Sequence, residues 1–134
     1  MTDARTVATK PAYRALVVED DPAIRRLVEK LLSRLKIDID LAGDGRTAIE
    51  KLRAHHYSVL VLDLMVPELN GFEVIDFIKR EHMTLPVAVV SAVSQQALTQ
   101  LDLDVVKLVI SKPFDVDEFT KAIMALCVEA EGHA

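Results

Sequence analysis

Apolar residues fall along this chain in two alternating patterns, short unbroken runs and longer stretches at helical spacing. Ala15-Leu-Val-Val18, Val59-Leu-Val-Leu62 and Val87-Ala-Val-Val90 are continuous apolar runs. Such runs, without polar alternation, predict strands buried on both faces, as in the middle of a parallel sheet. Ile37 to Ala42 alternates its apolar positions with Asp38 and Asp40, which predicts a half-exposed strand at a sheet edge. Val105 to Ile110, interrupted by Lys107, predicts a fifth strand.

The helical patterns lie between these runs. Ile24, Leu27, Val28, Leu31, Leu32 and Leu35 form a stripe opposite Arg25, Arg26, Glu29 and Lys30, an amphipathic helix that would lie on a sheet. Ala48, Ile49 and Leu52 mark a shorter helix over Thr47 to His55, and Val74, Ile75 and Ile78 a third, from Phe72 to about Glu81-His82. Ser94 to Gln100 has few apolar anchors and predicts a weak, mobile helix. Phe119, Ala122, Ile123, Leu126 and Cys127 mark the last. Local signals agree with these limits. Asp21 before Pro22 combines a capping side chain with proline at the first helical position, and Asp115 with Glu118 three residues on has capping-box form. Gly43-Asp-Gly45, Pro67 and Asn70-Gly71 mark turns. Five strands alternating with five helices predict an α/β fold, a parallel sheet with helices on both faces joined by right-handed crossovers. Strand order is not readable from the pattern.

With 134 residues, 51% of them apolar, and a net charge of −5, the chain reads as one globular domain over residues 12–130. Residues 1–11 read as a flexible arm and 131–134 as a short tail, with no further domain expected. The lone Cys127 excludes a disulfide framework and fits a reducing compartment. No apolar run approaches the ~20 residues of a membrane span, and the polar start does not read as a signal peptide. The expectation is a cytoplasmic protein with no membrane contact. The acidic balance argues against direct nucleic-acid binding, which needs clustered Lys and Arg; only Arg14, Arg25 and Arg26 gather. His55-His56 has no third ligand at a suitable spacing and reads as a solvated helix end.

Candidate chemistry sits where strands stop. Glu19-Asp20, Asp63, Ser91 and Lys112 each follow or close an apolar run, and in a parallel sheet these ends share one edge, where ligands of open α/β sheets bind. Carboxylates brought together repel unless a cation joins them, and an all-oxygen donor set points to Mg²⁺ rather than zinc. Mg²⁺ usually accompanies phosphate, and Lys112 and Ser91 add a positive charge and a hydrogen-bond donor. The set predicts phosphoryl transfer onto Asp63 as nucleophile. An aspartate-nucleophile phosphatase would want a second aspartate two residues on, where Met65 stands.

Glu19-Asp20, Asp63-Leu-Met-Val-Pro67 with Gly71, Ser91-Ala92 and Lys112-Pro113 together resemble the receiver domain of two-component response regulators, over roughly Ala12 to Val128. The resemblance implies a flavodoxin-like, doubly wound sheet of order 2-1-3-4-5. It implies a phosphoacceptor Asp63 served by a sensor histidine kinase or a histidine phosphotransfer protein. Mg²⁺ would be held by Glu19, Asp20, Asp63 and the main-chain oxygen of Met65, with Glu19 acting through water. Ser91 and Lys112 would bind the phosphoryl group, and Pro113 would mark a cis peptide or a loop. The protein would be a switch rather than an enzyme, assisting its own phosphorylation and dephosphorylation. It would signal as a single domain, monomer or weak homodimer, by phosphorylation-dependent binding to a downstream protein. Val109 departs from the pattern, because many receivers place Tyr or Phe there. That departure supports an alternative, a pseudo-receiver docking module that works unphosphorylated.

Overall fold

The computed structural model describes residues 13–92 and 95–132. The arm expected over residues 1–11, Val93 and Ser94 lie outside the described residues. Five strands, β1 (Arg14–Val18), β2 (Asp38–Ala42), β3 (Val59–Leu62), β4 (Val87–Ser91) and β5 (Val106–Ser111), alternate with helices α1 (Pro22–Ser33), α2 (Gly45–Ala54), α3 (Gly71–Arg80), α4 (Gln95–Leu98) and α5 (Val116–Gly132). All strand pairs are parallel, in the order β2-β1-β3-β4-β5. This is the flavodoxin-like order that the resemblance implies.

The unbroken apolar runs are explained by two separate cores, one on each face of the sheet. Leu16, Val18, Leu60, Leu62, Val87 and Val89 face α2 and α3. Ala15, Val17, Val59, Val61, Ala88 and Val90 face α1 and α5. A central strand buried on both sides has no position at which a polar residue would be cheap. The alternating β2 lies at an edge with its first four residues partly exposed. Cys127 is buried in the α5 core, where burial pushes its thiol up to about 11 and leaves it an inert apolar side chain.

Helix starts are set by caps. The Asp21 side chain accepts from the backbone N–H groups of Ala23 and Ile24, with Pro22 opening α1. Helix α2 begins two residues before the Thr47 expected from its apolar face, because Asp44 accepts from the N–H of Thr47 at 2.7 Å. Asn70 and Glu73 form a reciprocal capping box that starts α3 at Gly71. Two features depart from simple periodicity. Val87 pairs with Val106 but Ala88 with Leu108, so exposed Lys107 is an extra residue bulged out of β5. The weak helix expected over Ser94 to Gln100 is the single turn Gln95–Leu98, and α5 runs to Gly132, two residues into the stretch that reads as a tail. Among the described residues, no helix is long and apolar enough to cross a membrane.

Candidate functional site

The strand registers bring the polar residues to one edge. Val18 pairs with Leu62, and the N–H of Asp63 donates to the carbonyl of Val18 at 3.0 Å. Asp63 and Glu19, each one residue past that last pair, therefore lie side by side. Ser91 pairs with Ser111, and the N–H of Lys112 donates to the carbonyl of Ser91 at 3.1 Å. Of the set, Glu19, Asp63 and Ser91 are buried, while Asp20 is exposed.

Each oxygen of Asp63 has partners. Oδ1 accepts from the hydroxyl of Ser91 at 3.2 Å and from the N–H of Met65 at 3.1 Å. Oδ2 accepts from Nζ of Lys112 at 3.1 Å. The same Nζ donates to Oε1 of Glu19 at 2.7 Å, so one ammonium spans two buried carboxylates. Burial lifts the pKa of Glu19, and the like charge of Asp63 adds to this against the hydrogen bonds from Lys112 and from Asp21 N–H. Burial disfavours the charge of Lys112, but its bonds to Glu19 and Asp63 outweigh that and raise its pKa. The ammonium form is the one this edge holds.

Lys112 precedes a cis peptide to Pro113, and Phe114 stacks on Phe119 of α5 with ring centroids 4.8 Å apart. That stack seats the β5–α5 loop on the core. The β3–α3 loop, which carries Asp63, is clamped at close quarters. Gly71 N–H donates to Leu64 O and Gly45 N–H to Pro67 O. A Cβ on Gly71 would meet Leu64 Cα at 2.5 Å and Asp63 O at 2.9 Å, and one on Gly45 would collide with the Leu69 carbonyl oxygen. Only glycine fits either approach.

Oxygen atoms of Glu19, Asp20 and Asp63 lie within 4.8 Å of one another. Three hard carboxylate donors at such spacing suit a Mg²⁺-like cation and no soft metal. Met65, whose main-chain oxygen is the fourth donor implied by the resemblance, exposes 66% of its surface beside this set. Val109 is exposed on β5.

Besides the bridge from Lys112 to Glu19, two contacts at the site are not legible in the sequence. Nη1 of Arg25 donates to the carbonyl oxygen of Glu19 at 2.9 Å, bracing the acidic turn. The one hint is spacing, since Arg25 lies four residues after the cap Asp21 and helical side chains lean toward the helix N-terminus. The N–H of Met65 serves Asp63 through a tight turn, and no residue type announces such a bond.

The family model of the response regulator receiver domain matches residues 15–124. The chain is 32% identical over 115 residues to the response regulator ArlR of Staphylococcus saprophyticus, an alignment covering 84% of this chain and 51% of that protein. It thus spans about half the length of the curated relatives it matches. Among solved structures, it resembles the receiver domain of the Francisella response regulator 1452 with a TM-score of 0.81 and 25% identity, covering 87% of this chain and 98% of that one. It also resembles the response regulator TrrA of Thermotoga maritima, solved in complex with Mg²⁺-BeF, with a TM-score of 0.77 and 27% identity over 85% and 98% of the two chains.

Proposed function

This chain belongs to the response regulator receiver domain family of two-component signalling, and on that footing we propose that Asp63 is its phosphoacceptor. A sensor histidine kinase or a histidine phosphotransfer protein would supply the phosphoryl group in the cytoplasm. The phosphorylated domain would then bind a downstream protein. The observation that carries this reading is the edge itself, where Asp63 lies against Lys112 and Ser91 and within reach of Glu19 and Asp20.

In the transfer, an Asp63 carboxylate oxygen attacks phosphorus, the donor's P–N bond breaks, and an acyl phosphate forms while the imidazole takes up a proton. Lys112 is placed to follow charge from the carboxylate onto the phosphoryl oxygens, since its Nζ already touches Asp63. The Ser91 hydroxyl would turn from Oδ1 to a phosphoryl oxygen. Its pairing with Ser111 would pass that movement to β5, where Val109 in place of an aromatic would leave a smaller rearrangement, or one carried by α4 and the apolar segment Leu101 to Val106. Mg²⁺, held by Glu19, Asp20, Asp63 and the main-chain oxygen of Met65, would neutralise the transferring oxygens. The buried carboxylates fit that role, because the charge they carry is compensated at present by one lysine.

A second reading, a docking module that acts unphosphorylated, is favoured by Val109. Intact mass after incubation with acetyl phosphate, with and without Mg²⁺, on the wild type and Asp63→Asn separates the two. A Mg²⁺-dependent phosphoryl adduct absent from the variant supports the switch. No adduct, even with a cognate kinase, leaves the docking module.

A further inference from the structure

A groove away from the Asp63 edge runs between α2 and α3, a cavity of about 250 Å³. Ile49, Leu69 and Phe77 line it, and so do three arginines, Arg46, Arg53 and Arg80, with Glu50 as the one lining carboxylate. In sequence these arginines are spread over 35 positions. Arg46 and Arg53 share a helix face two turns apart, and the packing of α2 on α3 adds Arg80. A local cationic cluster on a chain of net charge −5 is opposite in sign to its surroundings.

Among the described residues, none of the three guanidiniums is held by a strong ion pair. Arg46 lies 3.5 Å from Glu68, both largely exposed, a contact of little net worth. Arg53 sits over the Phe77 ring at 5.1 Å, which orients it across the groove by cation–π attraction. Neither Arg53 nor Arg80 makes an ion pair among the described residues. The cavity is smaller than the about 300–1,000 Å³ of pockets that enclose drug-sized ligands, but it admits one or two side chains. Arginine beside an apolar floor is the composition of an interface anchor site.

We propose that the α2–α3 groove docks an acidic amphipathic helix of a partner protein. One apolar side chain would seat against half-buried Leu69, beside the Arg53–Phe77 stack, and flanking Asp or Glu residues would pair with Arg53 and Arg80. Arginine makes such bonds bidentate with carboxylates. The inference does not rest on phosphorylation of Asp63.

The test uses two fluorescein-labelled designed helices with the same leucine face, one flanked by Glu and the other by Lys. Anisotropy titrations and backbone amide shift mapping are made on the full chain, on Asp63→Asn and on Arg53→Glu/Arg80→Glu. The Glu helix should bind about 10-fold more tightly than the Lys helix and shift Arg53, Leu69, Phe77 and Arg80. The double variant should lose that binding about 10-fold while keeping its thermal melt and its acetyl phosphate labelling. Equal binding of the two helices, shifts confined to another face, or full binding by the double variant would overturn the proposal. So would tighter binding of a short oligonucleotide than of the Glu helix. Because Asp63→Asn should bind like the wild type, failure here is distinct from failure of the phosphoacceptor reading.

Discussion

Lys112 places its Nζ 2.7 Å from Oε1 of Glu19, a residue 93 positions earlier in the chain, and the same nitrogen reaches Oδ2 of Asp63 at 3.1 Å. It is the cation that lets two buried carboxylates share the sheet edge. Removing one partner of a buried charge group costs about 3–5 kcal/mol, and this edge is open to water on the side of Asp20. Lys112→Ala should therefore lose about 3 kcal/mol of unfolding free energy in urea. Mg²⁺ should raise the melting temperature of the variant more than that of the wild type, because a dication would take over the compensation. Equal shifts in the two proteins would show that Lys112 and the cation do not answer the same charge.

Met65 bears on the lifetime of an acyl phosphate on Asp63. Its side chain is exposed beside the site and has no group to orient an attacking water, so self-hydrolysis should be slow. Met65→Asn supplies an amide at that place and should speed the loss several-fold, as followed by phosphoryl release after removal of the donor. An unchanged or slower rate would mean that water reaches phosphorus by a path Met65 does not border.

Gly71 packs backbone against backbone. Since an added Cβ would lie 2.5 Å from Leu64 Cα and 2.9 Å from Asp63 O, Gly71→Ala must push the Asp63 loop aside. It should cost about 1–3 kcal/mol and also lower the rate of labelling by acetyl phosphate. A variant that loses stability but labels at the wild-type rate would show that the loop relaxes without moving Asp63.

The opposite end of the sheet carries a pH-dependent contribution. Oδ2 of Asp40 accepts from the Tyr57 hydroxyl at 2.6 Å and from Nη2 of Arg14 at 2.8 Å. Burial works against the charge of Asp40, but the Tyr57 hydrogen bond and then Arg14 outweigh it and hold its pKa below the ordinary 3.8. A carboxylate with a depressed folded pKa stabilises the protein above its unfolded value and loses that contribution as pH falls through the lowered one. Tyr57→Phe should cost about 1 kcal/mol at pH 7, and the cost should shrink as pH drops below ~3.9. Urea unfolding at pH 7 and pH 3 measures both. A cost independent of pH would assign the loss to packing of the Tyr57 ring rather than to the charge on Asp40.

The chain's own pattern determined the element types and the identity of the edge residues. Runs such as Val59 to Leu62 read as doubly buried strands, and parallel strands joined by crossovers gather their carboxyl ends, which puts Glu19, Asp63, Ser91 and Lys112 on one edge of the sheet and leaves to strand order which of them meet. Caps were legible where the signal was strong, as at Asp21-Pro22. A flanking glycine pair hides the cap at Asp44, whose side chain starts α2 inside what reads as a turn. Tertiary structure alone decided that Lys112 bridges both carboxylates, that Arg25 braces the Glu19 carbonyl, that Lys107 bulges from β5, and that Arg46, Arg53 and Arg80 meet across two helices. Periodicity is a property of neighbours along the chain and specifies which face of an element is apolar. Which polar side chains on different elements touch depends on strand register and helix packing, and these are settled only when the two cores close.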